Sequence, residues 1–246
     1  ADPRRRLSSV DVLDEAELAR LDRWGNRAVL TVPTPASAPA SVPALFAAQA
    51  ARAPEAVALV CGDHSWSYRE VDEAANRLAH MLAGHRVGPG ERVALLFNRS
   101  AEAIVAILAV MKAGAAYLPI DPAVPDARIE FMLADAAPIA AVTTADLVER
   151  FDGYDVIVVD AGDPAVQRQP STPLAGPAPD DLAHIVYTSG TTGVPKGVAV
   201  TQRNVTQLFD SLQIGIPLTP AQVWTQFHSY AFDFSVWEIW AALLGG

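Results

Sequence analysis

The stretch from residue 187 to residue 200 holds the residues best suited to chemistry, YTSGTTGVPKGVAV. Its polar and flexible positions are Thr188, Ser189, Gly190, Thr191, Thr192, Gly193 and Lys196. Glycines let backbone N–H groups approach a ligand closely, hydroxyls add hydrogen-bond donors, and the lysine adds a mobile positive charge. Such a loop could wrap the oxygens of a polyphosphate. A flexible hairpin loop has a similar composition, so composition alone leaves both interpretations open.

The spacing within this stretch differs from that of the common P-loop. Counting from Gly190, the second glycine of that pattern would fall at Pro195, and Lys196 is followed by Gly197 instead of Ser or Thr. Pro195 also fixes the backbone next to the lysine, which is unusual in a random polar loop. We therefore interpret the stretch as a phosphate-binding loop of another kind.

A second segment with chemical potential is FHSYAFDFSVWE, residues 227–238. Asp233 lies between two phenylalanines, so it is either the N-cap of a helix from Val236 onward or a buried carboxylate that awaits a cationic ligand. The nearest histidine is His228, which we assign to packing or to a pocket wall. The residues alone leave the two roles of Asp233 open.

Alternating elements surround these two segments. Apolar runs predict strands at 57–61, 64–66, 92–97, 116–120, 139–142, 156–159, 182–186 and 197–200. Periodic runs predict helices at 44–52, 69–82, 101–113 and 127–135, with Thr201 as a further helix cap. Strands that alternate with helices predict an α/β fold with a largely parallel sheet flanked by helices. The polar, Pro-rich residues 161–180 mark a candidate subdomain boundary.

The first 43 residues have a different character. Asp14 with Glu17 forms a capping-box pattern for a short helix, and Gly25 is a stop signal. An Ala/Pro/Ser-rich connector follows at residues 33–43. We predict that residues 1–43 are an upstream linker with a short helix and that a domain begins at residue 44.

Composition excludes several classes of protein. Of the 246 residues 51% are hydrophobic, enough for a packed core, and the net charge of −10 disfavours a nucleic-acid partner. The single cysteine, Cys61, excludes an internal disulfide and a cysteine-based zinc site. We interpret Asp121 as a turn former and predict no metal-ligating residues. Without a membrane-spanning run or a signal peptide, we expect a cytoplasmic protein with no membrane partner.

The string YTSGTTG-x-PKGV resembles the signature of the adenylate-forming superfamily, which includes acyl-CoA synthetases, luciferases and the adenylation domains of nonribosomal peptide synthetases. Residues 67–79 and 111–122 are similar to the first two core motifs of those adenylation domains, and we interpret both as structural. Residues 44–246 as a whole resemble the leading portion of an amino-acid-activating adenylation domain. Residues 13–26 are similar to the linker that follows condensation domains.

The resemblance implies roles for the residues singled out above. Thr188 to Gly193 and Lys196 would bind ATP, with Lys196 also catalytic, and Mg²⁺ would accompany the ATP. Asp233 would bind the α-ammonium group of the amino acid, while Phe234 and Trp237 would line its side-chain pocket. The order of these three residues is typical of threonine-type pockets, so we expect a threonine-like substrate.

Partners also follow from the resemblance. We expect a carrier-protein phosphopantetheine thiol, a neighbouring condensation domain and an MbtH-like protein. The family's adenine and ribose motifs, its metal-binding acid and its C-terminal lysine do not occur in residues 1–246, so we expect a truncated domain that is inactive alone. Gln202 stands where a histidine is common. Two alternatives stay open: an acyl-CoA or aryl acid ligase of the same superfamily, and a non-catalytic interaction fragment.

Overall fold

The computed structural model describes residues 13–25, 40–189, 193–211, 219 and 222–245. The chain divides into two compact units, residues 1–38 and residues 39–246. The described part of the first unit is helix α1 (Glu15–Trp24), in which no residue is buried. As predicted, Asp14 and Glu17 form a capping box at its start, and the N–H of Gly25 bonds to the carbonyl of Leu21 at its end.

The second unit contains the strands and the remaining described helices. The strands are β1 (Val57–Cys61), β2 (His64–Ser67), β3 (Arg92–Leu96), β4 (Ala116–Ile120), β5 (Ala140–Thr143), β6 (Ile157–Asp160), β7 (Leu182–Thr188) and β8 (Lys196–Thr201). The helices are α2 (Val42–Arg52), α3 (Tyr68–Gly84), α4 (Ala101–Lys112), α5 (Asp126–Ala136), α6 (Pro164–Gln167), α7 (Gln202–Ser211) and α8 (Phe234–Gly245). A 3₁₀ helix spans Ala145–Phe151.

Six strands form one sheet in the order β6–β5–β3–β4–β7–β8. All neighbouring pairs are parallel except β7 and β8, which form an antiparallel hairpin. Strands β1 and β2 form a separate antiparallel pair. The prediction of an α/β fold with a largely parallel sheet flanked by helices is therefore confirmed. The carboxyl ends of β3, β4 and β7 lie at one edge of the sheet, where ligands bind in open α/β folds.

The two faces of the sheet pack against different helices. Val93 and Leu95 belong to a core cluster shared with α2, α3, α4 and α8, whereas Ala94 and Leu96 belong to a second cluster with α5. This alternation is the period-2 pattern of a strand that is buried on both faces. Helix α4 is apolar on every side between Glu102 and Lys112, and all of its residues except Glu102 are buried. Among the described helices, none has both the length and the apolar character needed to span a membrane.

Helix α2 begins two residues before the predicted start at residue 44. The Ser41 hydroxyl caps it by accepting from the N–H of Ala44 at 3.4 Å. The N–H of Val42 donates to Oε1 of Gln202 at 3.1 Å, and Gln202 is fully buried at the start of α7. Thr201 caps α7 as predicted, because its Oγ1 accepts from the N–H of Asn204 at 3.2 Å. The side chain at position 202 thus joins two helices that are far apart in sequence.

Candidate active site

The loop between β7 and β8 leaves the sheet at its carboxyl edge. Thr188 and Lys196 are register partners at the mouth of the hairpin, and both are exposed. Ser189 and Gly193 lie in the same loop, and Gly193 has a φ of 82°, a conformation that favours glycine. The ammonium group of Lys196 has no hydrogen bond or ion pair with the described residues. Three further predicted loop residues, Gly190, Thr191 and Thr192, lie outside the described residues.

Close packing fixes the base of this loop. A Cβ at Gly197 would lie 3.1 Å from Cγ2 of Ile185 and 3.2 Å from Cζ of Tyr187, so a larger residue there would require these side chains to shift. The hydroxyl of Tyr187 donates to Asp135 at 2.5 Å, and the guanidinium of Arg128 lies 5.7 Å from the Tyr187 ring centroid. Burial and then the hydrogen bond to Asp135 raise the pKa of Tyr187. Side-chain contacts therefore hold the ends of β7 and β8 between which the loop lies.

Tyr230 brings the second predicted segment to the same edge of the sheet. Its hydroxyl donates to the carbonyl of Ser100 at 3.2 Å and lies 3.3 Å from the N–H of the same residue. Ser100 follows the carboxyl end of β3 and caps α4. Burial raises the pKa of Tyr230, so its hydroxyl stays protonated and can donate. The segment before α8 and the loop after β7 therefore both lie at the carboxyl edge.

Asp233 comes directly before α8 and is exposed, not buried as one interpretation of the sequence required. Its carbonyl accepts from the N–H of Val236 at 3.1 Å, but its carboxylate makes no hydrogen bond or ion pair with the described residues. Asp233 thus lies directly before the helix, as the N-cap interpretation predicted, but its side chain accepts no hydrogen bond from the described N–H groups of α8. A free carboxylate at this place can accept a cationic ligand.

Phe234 and Trp237 lie on the first turn of α8 with Asp233 immediately before them. The ring of Phe234 is half exposed, with its centroid 5.2 Å from that of His228. The indole of Trp237 stacks on Phe209 at 5.3 Å and meets Trp224 edge-on at 5.7 Å. The structure therefore brings the three predicted substrate residues together and holds the tryptophan between two aromatic rings.

Glu238 is a residue of this region that the sequence interpretation missed. Its buried carboxylate accepts from the backbone N–H groups of Phe227 at 3.2 Å and His228 at 3.1 Å, and Nδ1 of His228 lies 2.7 Å from Oε1. An acid among the apolar residues of α8 was the signal that could have identified it, because a buried carboxylate requires partners.

Metal-ligating side chains do not cluster in the described part of the chain: no three His, Cys, Asp or Glu residues there could hold a metal ion together. Lys196, in contrast, is a protein cation at the mouth of the loop.

Comparison with known proteins identifies the family. The model of the family described as AMP-binding enzyme matches residues 46–246. The chain belongs to this family. The match covers the sheet, the β7–β8 loop and α8, so the predicted membership in the adenylate-forming superfamily is confirmed.

Relatives of this AMP-binding chain include peptide synthetases. It is 61% identical over its full length to an isonitrile lipopeptide synthase of Mycobacterium tuberculosis, of which it covers 10%. It is 40% identical, again over its full length, to a dimodular nonribosomal peptide synthase of Bacillus subtilis, of which it covers 11%. The chain thus spans about a tenth of the length of these relatives.

Solved structures agree with this assignment. The nonribosomal peptide synthetase FmoA3 in its AMPPNP-bound form matches 89% of the chain with a TM-score of 0.80 and 32% identity. The form of FmoA3 bound to alpha-methyl-L-serine-AMP matches with a TM-score of 0.79 and 30% identity. In both comparisons the chain covers 24% of FmoA3. The AMP-binding chain therefore has the fold of the corresponding part of a peptide synthetase.

Proposed function

We propose that this protein activates an amino acid with ATP and loads it onto a carrier-protein phosphopantetheine thiol in nonribosomal peptide synthesis. The observation that carries the proposal is that the Asp233 carboxylate and the Lys196 ammonium group lie in segments at the same carboxyl edge of the sheet, and that neither makes a hydrogen bond or ion pair with the described residues. One group is suited to an ammonium ion and the other to phosphate. An amino-acid-adenylating site has to bind the α-ammonium group of the amino acid and the phosphates of ATP, and the two segments are suited to these two tasks.

The reaction has two steps. An oxygen of the amino-acid carboxylate attacks the α-phosphorus of ATP, the bond from that phosphorus to the bridging oxygen breaks, and pyrophosphate leaves. The carrier thiol, as its thiolate, then attacks the carbonyl carbon of the aminoacyl-adenylate, and AMP leaves. The first step is difficult because it brings one anion against another, so catalysis depends on positioning and on neutralising negative charge.

The loop residues provide that neutralisation. Lys196 supplies a positive charge, and the hydroxyls and N–H groups of residues 188–193 supply donors to the phosphate oxygens. Mg²⁺ bound to the phosphates supplies additional positive charge. No protein base is required at the amino acid, because its carboxylate is ionised at neutral pH. Lys196 is accordingly the catalytic residue that we assign within the described part of the chain.

We further propose threonine or a close small relative as the substrate. The resemblance implies that Phe234 and Trp237 line the side-chain pocket beside Asp233, and two large rings there would leave little volume for a bulky aromatic side chain. FmoA3, which has the same fold over most of this chain, was solved with alpha-methyl-L-serine-AMP, the adenylate of another small hydroxylated amino acid. That similarity supports a small substrate.

The proposal implies particular partners. A carrier protein and a condensation domain are the partners expected for a peptide synthetase, and an MbtH-like protein is a third. ATP as a co-substrate implies a cytoplasmic location. An acyl-CoA or aryl acid ligase would use the same phosphate loop, but it would have no need for the carboxylate of Asp233.

The test is amino-acid-dependent ATP–pyrophosphate exchange by the full-length protein with each proteinogenic amino acid. We expect threonine or a small relative to give the highest rate. Asp233→Ala should lower kcat/KM for the amino acid by at least about 30-fold, because removing one partner of a close ion pair costs about 2 kcal/mol or more.

The matched control is Asp155→Ala, at an exposed aspartate before β6 and therefore at the opposite edge of the sheet. It should leave exchange unchanged. Exchange that depends on a fatty or aryl acid instead of an amino acid would contradict the proposal. A preference for an aromatic or basic amino acid would contradict only the assignment of the substrate.

A further inference from the structure

The buried carboxylate of Glu238 organises the segment before α8. It accepts from the N–H groups of Phe227 and His228 and from the side-chain amide of Gln226 at 3.4 Å, and Nδ1 of His228 lies 2.7 Å from it. No lysine or arginine in the described part of the chain pairs with it. Its charge is therefore balanced by donors from residues 226–228, which are fixed against α8 as a consequence.

The imidazole of His228 contacts both neighbours of Asp233. It stacks on Phe232 at 5.2 Å with an interplanar angle of 30°, and it meets Phe234 at 5.2 Å and 65°. Aromatic rings at such distances prefer defined orientations, so the plane of the imidazole constrains where these two phenyl rings lie. The hydrogen bond to Glu238 in turn fixes the plane of the imidazole.

These contacts form a chain from Glu238 through His228 to Phe232 and Phe234 on either side of the amino-acid-binding carboxylate. We propose that His228, held by Glu238, is a positioning residue that sets the shape of the amino-acid pocket and so its selectivity. This inference rests on the proposed function of Asp233 and Phe234. His228 acts through the two phenyl rings and takes no part in the chemical steps.

The test uses two substitutions that separate the hydrogen bond from the ring. His228→Phe keeps an aromatic ring but cannot donate to Glu238, whereas His228→Asn keeps an N–H donor close to the position of Nδ1 but lacks the ring. Glu238→Gln keeps an oxygen for the backbone N–H groups and removes the charged acceptor, which preserves folding better than Glu238→Ala. The control is His64→Phe, the same change at an exposed histidine that contacts Trp66 on the β1–β2 hairpin.

In amino-acid-dependent exchange by the full-length protein, the substitutions should change KM for the amino acid more than KM for ATP. We expect His228→Phe and Glu238→Gln to raise KM for the amino acid about tenfold, the effect of losing a hydrogen bond to a charged group, with KM for ATP changed less than about twofold. Their selectivity for the preferred amino acid over larger ones should fall by a similar factor. His228→Asn should raise KM for the amino acid by a similar factor, because it lacks the ring that contacts Phe232 and Phe234, and His64→Phe should match the parent.

The outcomes distinguish the inference from the proposed function. If the unsubstituted protein shows no amino-acid-dependent exchange, the proposed function fails and this inference fails with it. If exchange is normal but His228→Phe and Glu238→Gln keep the parental KM and selectivity, only the positioning role is overturned. Equal losses for amino acid and ATP with a lowered unfolding midpoint would overturn it in favour of a purely structural role. Parental KM and selectivity for His228→Asn would overturn the role of the imidazole ring.

Discussion

His184 is an ionisable side chain enclosed within the sheet. It lies on β7 with 4% of its surface exposed, its ring is 5.3 Å from that of Tyr117, and its Nδ1 has no hydrogen-bond partner among the described residues. Burial lowers the pKa of His184 to about 4, although the negative charge of Asp233 partly opposes the shift. The native protein therefore contains a neutral imidazole at this position down to mildly acidic pH.

Acid should destabilise the native state through this residue. As the pH falls from 6.5 towards 4, an unfolded His184 binds a proton and the native one does not, so the free energy of unfolding decreases. The loss between pH 7.5 and pH 5 should be about 2 kcal/mol. Urea denaturation of the chain at both pH values measures it, and His184→Phe should reduce the loss by about that amount. Parallel pH profiles for the parent and His184→Phe would contradict the shift.

Local sequence order marks single candidate residues but not the pairs that they form. The loop motif and the Phe-Asp-Phe segment marked Thr188, Lys196 and Asp233 as candidates for the site. The hydrogen bond between His228 and Glu238 spans ten residues and depends on the turn at Ser229–Asp233, which no periodic pattern encodes. Likewise, the exposed state of the Asp233 carboxylate depends on where α8 packs, so local sequence could not determine it.

At the scale of elements, a buried polar network joins α3, α4 and the connector that precedes β7. Nζ of Lys112 on α4 donates to Asp72 and to Asn76 on α3, each at 2.6 Å. The side-chain amide of Asn76 donates at 2.8 Å to the carbonyl of Ser171 in the connector. Burial lowers the pKa of Lys112, and the hydrogen bond to Asp72 opposes that shift. The stretch interpreted as a candidate boundary at 161–180 is thus attached to a helix.

Lys112→Met should destabilise the fold because it preserves the aliphatic stem but leaves Asp72 and Asn76 without their shared donor. We expect a loss of about 3 kcal/mol, at the lower end for a broken buried pair since Asp72 is partly exposed. Chemical denaturation measures the loss. The control is Arg77→Met on α3, which removes a more exposed ion pair with Glu73 and should cost less than about 1 kcal/mol. Equal costs for the two variants would show that the network adds no more than a surface pair.

Elements with a strong local signal were predicted almost completely. The bounds of β1 and β4 match the prediction, and those of α3, α4 and α5 lie within two residues of it. The 3₁₀ helix at Ala145–Phe151 and the four-residue α6 were not predicted, because neither is long enough to show hydrophobic periodicity. The order of the strands was beyond prediction too, since it depends on contacts between distant segments.

At the scale of the whole molecule, the start of the second unit can be placed in two ways. Sequence predicts a domain from residue 44, where the helical pattern becomes clear, whereas the compact unit in the structure begins at residue 39. The five residues between include Ser41, which caps α2, and the fully buried Val42, whose N–H donates to Gln202. In contrast, α1 in the first unit has no buried residue.

Two truncated chains distinguish these starting points. A chain that begins at Pro39 should keep the unfolding midpoint of the intact chain within about 2 °C, because it retains the whole second unit. A chain that begins at Ala44 loses the helix cap, the buried valine and the hydrogen bond to Gln202, together worth about 3 kcal/mol, so its midpoint should fall by roughly 6–12 °C. Thermal unfolding followed by circular dichroism measures both. Equal midpoints would favour the start at residue 44, since the added residues would then contribute no stability, and a large fall for the chain that begins at Pro39 would assign a stabilising role to residues 1–38.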